Sequence, residues 1–388
     1  MRRNLLQVLV ALVCAVSPLT SSGAVPLGVI VPDGAAGEET IRAAQLANDD
    51  LKQFFNLVVR PGPTAEEAIR SIESLATSDK VATIIGVARR FPDSALRERL
   101  QQHSEVAYLS LSAFPMPISG RSPTYFHIGT TVGKLATLAE RYVVDLHPKR
   151  VAVVGFGNAS SGIEQRLKAK GIDVISGPSE IRPQQDLAAS LGQAANLRPE
   201  TILATPSWAI QDTTIGRIAQ VTRATQVVTY SLDGLGSTKS VDINPSDVYV
   251  AAAADPSRIS KDGTSFVQRF AQKWQAKPTN GYGLQAYVAV QVIYQALQGK
   301  SEGARQDRER LIKALQERSF DTLVGKVQFS RVSGDAPYAS EAVWRMSNTE
   351  SPIVQSSGTG SCNCDNTSCC DSLECCNKTN GKCPDKTC

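Results

Sequence analysis

The stretch PLGVIVPDGAAGEETIRAAQLANDDLKQF (residues 26–54) joins a short apolar run to a longer amphipathic one. Its first part, PLGVIVPDG, has the β-branched composition of a buried strand and ends in a Pro-Asp-Gly turn. Its second part, EETIRAAQLANDDLKQF, places apolar residues at helical spacing. A strand, a turn and a helix in this order form the first half of a β-α-β unit, so the stretch predicts a parallel sheet.

The same alternation continues along most of the chain. The predicted strands include NLVVRPG, VATIIGV, VAYLSLSA, RVAVVGFG, ETILATPS and QVVTYSLDG, with amphipathic segments such as TAEEAIRSIESLA and SSGIEQRLKAKG between them. Several of these strands are almost continuously apolar, which is typical of strands buried on both faces. The pattern therefore predicts an α/β fold with doubly wound parallel sheets.

Two blocks carry the alternation, one up to residue 148 and one from 149 to 254, and helical runs with returning strands follow them. We therefore expect two lobes that share a multi-strand hinge. Lobe 1 consists of residues 25–148 and 255–325, and lobe 2 of residues 149–254 and 326–354. Ligands bind beyond the carboxyl ends of parallel strands, so two such sheets predict a cleft between the lobes.

The N-terminus has the layout of a secretory signal peptide, assigned to residues 1–24. Two arginines at 2–3 precede an apolar run at 5–16, and small residues occupy 21–24. The run is too short for a membrane-spanning helix. We expect cleavage after Ala24 and a mature protein in the periplasm or outside the cell.

The charge and the inventory of reactive side chains favour binding over catalysis. The net formal charge is +4, a near-balance that gives no argument for a nucleic-acid partner. The segment GFGNASSG fails the dinucleotide-binding spacing, because Ser160 stands where the third glycine is required. The three histidines are far apart, and no G-x-S-x-G motif is present. We expect no enzymatic activity, no cofactor and a monomer.

The order of these motifs resembles type I periplasmic binding proteins, of the branched-chain amino acid (Leu/Ile/Val) receptor kind that serves ABC importers. The resemblance covers about residues 25–354. It depends on VATIIGV and VAYLSLSA, on YFHIGTTVGKLATLAERYVVDLHPKRVAVVGFG, on PTNGYGLQAYVAVQVIYQAL and on LVGKVQFSRVSGDA. It implies two lobes joined by a three-strand hinge, a small-molecule ligand held in the cleft, lobe closure and delivery to the membrane permease of an ABC importer.

The family's ligand contacts come from loops at strand ends, and the resemblance carries them to seven positions. These candidates are Arg90, Ser110, Ser112, Ala113, Ser161, Trp208 and Asp233. The serines and the alanine at 110–113 match the family's pattern, and Asp233 occupies the acidic position that binds a ligand ammonium group.

Other positions depart from the family's pattern. Residues 88–92 replace a serine-rich loop that holds the ligand carboxylate, Ser161 or its neighbour Ser160 replaces an aromatic residue, and Phe114 stands where a small hydroxyl residue is usual. Arg90 has the guanidinium group to hold a carboxylate through paired hydrogen bonds. These departures leave the class of ligand open.

The predicted function is that of an extracytoplasmic solute-binding protein. It captures a small polar ligand (an amino acid, an amide or a related organic acid) and delivers it to an ABC permease. The alternative is a ligand-sensing receptor of the same fold that docks on a signalling partner. The sequence does not separate the two.

The C-terminus concentrates the cysteines. A Ser/Gly-rich linker at residues 355–361 leads to a tail, residues 362–388, that has little apolar surface to bury. Four disulfides, a metal cluster and a loose reactive tail are all compatible with it. The candidate disulfide or metal ligands are Cys362, Cys364, Cys369, Cys370, Cys375, Cys376, Cys383 and Cys388.

The intact mass of the exported protein distinguishes these alternatives. Since an oxidising compartment favours disulfides, we expect a loss of eight hydrogens relative to the fully reduced chain. The reduced and alkylated protein is the control. Free thiols together with bound zinc or copper would instead show a metal cluster.

Overall fold

The structure is a computed structural model. It describes residues 24–86, 98–99, 102–111, 123–130, 132–155, 158–176, 194–205, 226–230, 248–253, 261–278, 281–298, 303–330, 335–336, 341–345, 348–355, 382–383 and 386–387. The predicted signal peptide, most of the linker and most of the cysteine-rich tail lie outside these residues. Of the tail, Lys382–Cys383 and Lys386–Thr387 form a short antiparallel pair.

The first sheet has six strands within the described residues, in the order β2-β1-β3-β4-β5-β13. All of its described pairings are parallel. Its strands are β1 (Val25–Val31), β2 (Phe55–Pro61), β3 (Thr83–Gly86), β4 (Ala107–Ser110), β5 (Tyr125–Ile128) and β13 (Asp335–Ala336).

The second sheet has seven described strands, in the order β7-β6-β8-β9-β10-β14-β15. Its strands are β6 (Arg150–Gly155), β7 (Asp173–Ser176), β8 (Thr201–Thr205), β9 (Gln226–Tyr230), β10 (Val248–Ala253), β14 (Glu341–Arg345) and β15 (Asn348–Gln355). The first five run parallel, and β14 and β15 pair antiparallel. In each sheet the first strand in sequence lies inside and the chain winds outward in both directions, as predicted for a doubly wound fold.

Helices cover both faces of the first sheet. On one face α1 (Ala35–Asp50) packs with three helices from the C-terminal part of the chain, α5 (Lys261–Trp274), α6 (Gly281–Ala296) and α7 (Ala304–Glu317). On the other face lies α2 (Ala65–Thr77). Thr64 is the N-cap of helix α2, because its Oγ1 accepts from the Glu67 N–H, and the same hydroxyl donates to the Glu67 carboxylate. A hairpin of β11 (Ser319–Thr322) and β12 (Gly325–Gln328) adds to the first core.

The second sheet packs against α3 (Val132–Asp145) and α4 (Asn158–Ala169), whose apolar stripes enter the same core. None of the described helices combines the length and the apolar character needed to cross a membrane. Arg166 of α4 donates to the Glu140 carboxylate of α3 through Nε and Nη2, at 2.9 and 2.7 Å. This paired ion contact fixes the two helices side by side.

The chain changes sheets at different residues from those expected. We expected lobe 1 to extend to residue 148, but α3 packs into the second core, so the first crossing follows Ile128. The apolar stripe of α3 could pack against either sheet, so the sequence alone does not show to which sheet the helix belongs. Likewise Val327 and Phe329 lie in the first core and β13 joins the first sheet, so the return to the second sheet follows Ala336 and not residue 326.

Arg308 of α7 ties the C-terminal helices to the sheet. Its Nε donates to the Val81 carbonyl oxygen at 2.8 Å, and its Nη2 donates to the Ala76 carbonyl oxygen at 2.7 Å. Ala76 lies in the last turn of α2, where carbonyl groups have no partner within the helix. The side chain is 13% exposed. Arg308 thus stabilises both the end of α2 and the entry to β3.

Replacing Arg308 with Met keeps the aliphatic stem but leaves both carbonyl oxygens without their charged donor. We expect Arg308→Met to lower the free energy of unfolding by about 1.5–3 kcal/mol in urea denaturation. Arg70→Met is the matched control. Arg70 is 63% exposed and pairs with Glu66 within α2, so its loss should cost under about 0.5 kcal/mol. Equal effects of the two substitutions would contradict the role given to Arg308.

Candidate functional site

The predicted ligand residues follow the carboxyl ends of parallel strands. In the first sheet, the segment after β3 carries Arg90 and the segment after β4 carries Ser112 and Ala113. Strands β3 and β4 are neighbours, and neighbouring strands lie about 5 Å apart. The two segments therefore start side by side at one edge of the sheet. Arg90, Ser112 and Ala113 themselves lie outside the described residues.

The second sheet arranges its three candidates in the same way. Ser161 lies in α4 after β6, while Trp208 follows β8 and Asp233 follows β9. Strand β8 pairs with both β6 and β9, so the three segments start from consecutive strands. The structure describes the backbone of Ser161, and Trp208 and Asp233 lie outside the described residues. Strand order supports a shared edge for these candidates, and their contact with a ligand stays a prediction.

Ser110 is the one candidate whose side chain the structure describes. It is the last residue of β4, in register with Gly86 of β3 and His127 of β5. Ser110 and His127 are both buried. The carboxyl edge of the first sheet therefore carries polar side chains inside the protein, on strands next to or before those that lead into the segments with Arg90 and Ser112.

A close contact supports the end of β3. A Cβ atom added to Gly86 would lie 2.9 Å from the Tyr108 hydroxyl oxygen and 3.0 Å from the Ile30 Cβ atom. Tyr108 is fully buried and stacks on Tyr125 with 5.7 Å between ring centroids. Burial raises the pKa of Tyr108, so its hydroxyl stays neutral. The backbone at Gly86 is thus fixed by packing against a neutral aromatic side chain.

The end of β9, before the segment that carries Asp233, has a similar character. Tyr230 is the last residue of β9 and is buried in the second core. Burial raises the pKa of Tyr230 to about 12. Tyr108 and Tyr230 therefore add no charge near neutral pH.

A carboxylate lies near the carboxyl edge of the first sheet. Glu39 of α1 is 6% exposed, and its Oε1 atom lies against Gly283 in the first turn of α6. The N-terminus of a helix favours negative charge. The Glu39 carboxylate therefore supplies negative charge at the first turn of α6.

Sequence reasoning did not identify Glu39, nor two other buried polar residues at this edge, Thr130 and Gln285. Thr130 follows β5, and Gln285 lies in α6 with its amide against the backbone of Gly129. One signal was available, since Gln285 interrupts the apolar stretch GYGLQAYVAV. Which face of α6 it occupies, and what it meets there, depend on the tertiary structure.

Within the described residues, no group of three His, Cys, Asp or Glu side chains is placed to hold a metal ion. Of the cysteines predicted as disulfide or metal ligands, the structure describes only the backbone of Cys383, in the short strand Lys382–Cys383, and the other seven lie outside the described residues.

The fold and its carboxyl edges define a two-sheet binding protein, and the family comparison agrees. The periplasmic binding protein family model matches residues 29–342. The chain belongs to this family, which confirms the resemblance seen in the motifs. A search of curated protein sequences found no significant match.

Several solved structures share the fold at low sequence identity. The branched-chain amino acid binding protein LivJ from Streptococcus pneumoniae, in complex with isoleucine, has a TM-score of 0.67 at 16% identity, over 85% of this chain and 99% of that chain. A solute-binding protein from R. palustris in complex with benzoate has a TM-score of 0.69 at 15% identity, over 86% and 96%. The leucine-binding protein LivK from Thermotoga maritima has a TM-score of 0.65 at 19% identity, over 82% and 95%.

The packing at Gly86 leads to a prediction about the end of β3. Gly86→Ala should lower the free energy of unfolding by about 1–3 kcal/mol, because the added methyl group overpacks the site. Adding Tyr108→Phe removes the nearest atom and should restore part of the loss, since the contact with Ile30 remains. Urea denaturation of the single and double variants measures both effects.

Gly162→Ala is the matched control. The nearest atom there is the end of the Arg166 side chain, at 3.3 Å, and Gly162 lies within α4, where Ala is the better helix former. We expect unchanged or increased stability. A Gly86→Ala variant as stable as the wild type would contradict the packing described for this strand end.

Proposed function

We propose that the protein is an extracytoplasmic solute-binding protein that captures a small polar ligand and delivers it to an ABC permease. The observation that carries the proposal is the strand order. Each of the two doubly wound sheets has a carboxyl edge where consecutive strands lead into segments with polar, charged or aromatic residues. Membership of the periplasmic binding protein family supports it.

The ligand is an amino acid, an amide or a related organic acid. The structurally similar proteins are complexes with isoleucine or benzoate and a leucine-binding protein, which supports a ligand of this size. Asp233 binds an ammonium group if the ligand has one, and Arg90 holds a carboxylate. Ser110, Ser112, Ala113, Ser161 and Trp208 complete the site.

Binding proceeds by lobe closure. A ligand that touches both lobes stabilises the closed arrangement more than the open one, and this difference alone shifts the population. Closure also excludes water and strengthens each polar contact. No bond is made or broken, so the protein is not an enzyme.

The ends of the chain complete the proposal. The signal peptide directs the protein to the periplasm or the cell exterior, where it acts as a monomer without a nucleic-acid partner. Four disulfides organise residues 362–388. The body between Ala24 and the tail has no cysteine, so the eight tail cysteines have no partners in the body with which to mispair.

A thermal-shift screen tests the function. The full-length protein is heated with L-leucine, L-isoleucine, glutamine, benzoate and 4-hydroxybenzoate. At about 100 times the Kd, a ligand adds about 2.7 kcal/mol of stability, so at least one compound should raise the Tm by about 3 °C. A flat Tm across the set, with no heat of binding in calorimetry, would contradict the proposal.

The class of ligand is tested with Asp233→Asn. If the ligand has an ammonium group, the Kd should rise about tenfold or more, because a charge-assisted hydrogen bond is lost. Benzoate binding should not change. Asp173→Asn is the matched control, since Asp173 is 67% exposed and pairs with Arg150 at the edge of the second sheet.

A further inference from the structure

The first crossing between the sheets is short, and part of it is described. Strand β5 ends at Ile128 in the first sheet, and α3 begins at Val132 in the core of the second. Residues 129–131 lie between them, and of these the structure describes Gly129 and Thr130. Any change in the relative position of the sheets must turn the backbone at such crossings.

Gln285 of α6 packs directly against this crossing. A Cβ atom added to Gly129 would lie 2.2 Å from Gln285 Nε2 and 2.7 Å from Cδ. Gly129 has a φ of 118°, a conformation that residues with a side chain rarely adopt. The backbone of the crossing thus lies on the amide group of Gln285, and glycine is required there on two counts.

Two buried polar atoms at the crossing lack hydrogen bonds. Gln285 Oε1 and Thr130 Oγ1 have almost no accessible surface and make no hydrogen bond to the described part of the chain. The residues are 5% and 3% exposed. Leaving a buried polar group unpaired is costly.

The other glutamines of α6 provide the contrast. Gln291 Oε1 accepts from the Leu323 N–H at 3.2 Å. Gln295 bonds the backbone of Asp321 twice, donating to its carbonyl oxygen and accepting from its N–H. Both lie further along the helix, within the first lobe. The unpaired acceptor of α6 is therefore the one that meets the crossing.

We propose that Gln285 is a positioning residue for lobe movement. In a second arrangement of the lobes, the backbone at Gly129 turns and gives Gln285 Oε1 and Thr130 Oγ1 hydrogen-bond partners. Gln285 then sets the equilibrium between the two arrangements, and through it the ligand affinity, without touching the ligand. The part that concerns affinity rests on the proposed function.

The test is Gln285→Leu in the full-length protein without ligand. Leu has a similar size and no acceptor. In the arrangement described here the substitution removes an unpaired amide, and in the other arrangement it removes an amide that has a hydrogen-bond partner. Both effects favour the arrangement described here. We expect the X-ray scattering profile to move toward that of this structure, with a change of about tenfold in the ratio of the two populations.

Calorimetry with two probes, L-leucine and benzoate, supplies a second measurement. A residue that acts through the lobe equilibrium changes the Kd of every bound probe by the same factor. A residue that touches the ligand changes the two by different factors. We expect one common factor, between about 3 and 30, for each probe that the wild type binds.

Gln295→Leu is the matched control, because it removes two hydrogen bonds from the same helix away from the crossing. It should lower stability and leave the scattering profile and both Kd values unchanged. Thr130→Val removes the other unpaired atom, and we expect it to change the scattering profile and the Kd values in the same way as Gln285→Leu. It tests the proposal if Gln285→Leu does not fold.

Wild-type scattering in both crossing variants, or an affinity change confined to one probe, would overturn the role of Gln285. The outcome is separable from the proposed function. A wild type that binds neither probe contradicts ligand capture as tested, whereas the scattering comparison needs no ligand and still decides whether Gln285 positions the lobes.

Discussion

The burial of α6 in the core of the first sheet is the constraint on which the rest of the structure depends. All residues from Tyr282 to Val290 are buried, and the helix packs against α1 and the strands of the first sheet. Because α6 follows strands β6–β10 of the second sheet in sequence, the first core is complete only after the chain has returned to it. The elements of the first sheet and its core are therefore discontinuous in sequence, and the chain crosses between the sheets more than once.

The polar contacts around the C-terminal helices reinforce this return. Arg269 of α5 donates to the Asp50 carboxylate at the end of α1 and to the Tyr287 hydroxyl of α6. Tyr287 also donates to Asp50. Burial and the hydrogen bond to Asp50 raise the pKa of Tyr287 to about 12, so its hydroxyl keeps its proton at neutral pH. One network thus holds α1 to α5 and α6, two helices from the C-terminal part of the chain, on the same face of the first sheet.

Much of the fold follows from the sequence, because alternating apolar runs and amphipathic segments leave few arrangements. VATIIGV and VAYLSLSA form the adjacent strands β3 and β4, and the predicted family is confirmed. The sheet to which α3 belongs was not predictable, since Leu135, Leu138 and Tyr142 form an apolar stripe that suits either core. The predicted site residues could be placed at strand ends, but sequence spacing does not show which strands become neighbours.

The crossing escaped prediction for a different physical reason. In a sequence, core positions are recognised by their apolar character and ligand positions by charge at strand ends. A position at a crossing between sheets requires neither an apolar nor a charged side chain. What distinguishes Gly129 is a positive φ and a close approach to Gln285 of α6, and both are features of the tertiary structure. A glutamine in an apolar helix is a cost if the protein has one arrangement. If the protein has two arrangements, the unpaired acceptor raises the free energy of the one described here and brings the two closer in free energy. A ligand of ordinary affinity can then shift the population from one to the other.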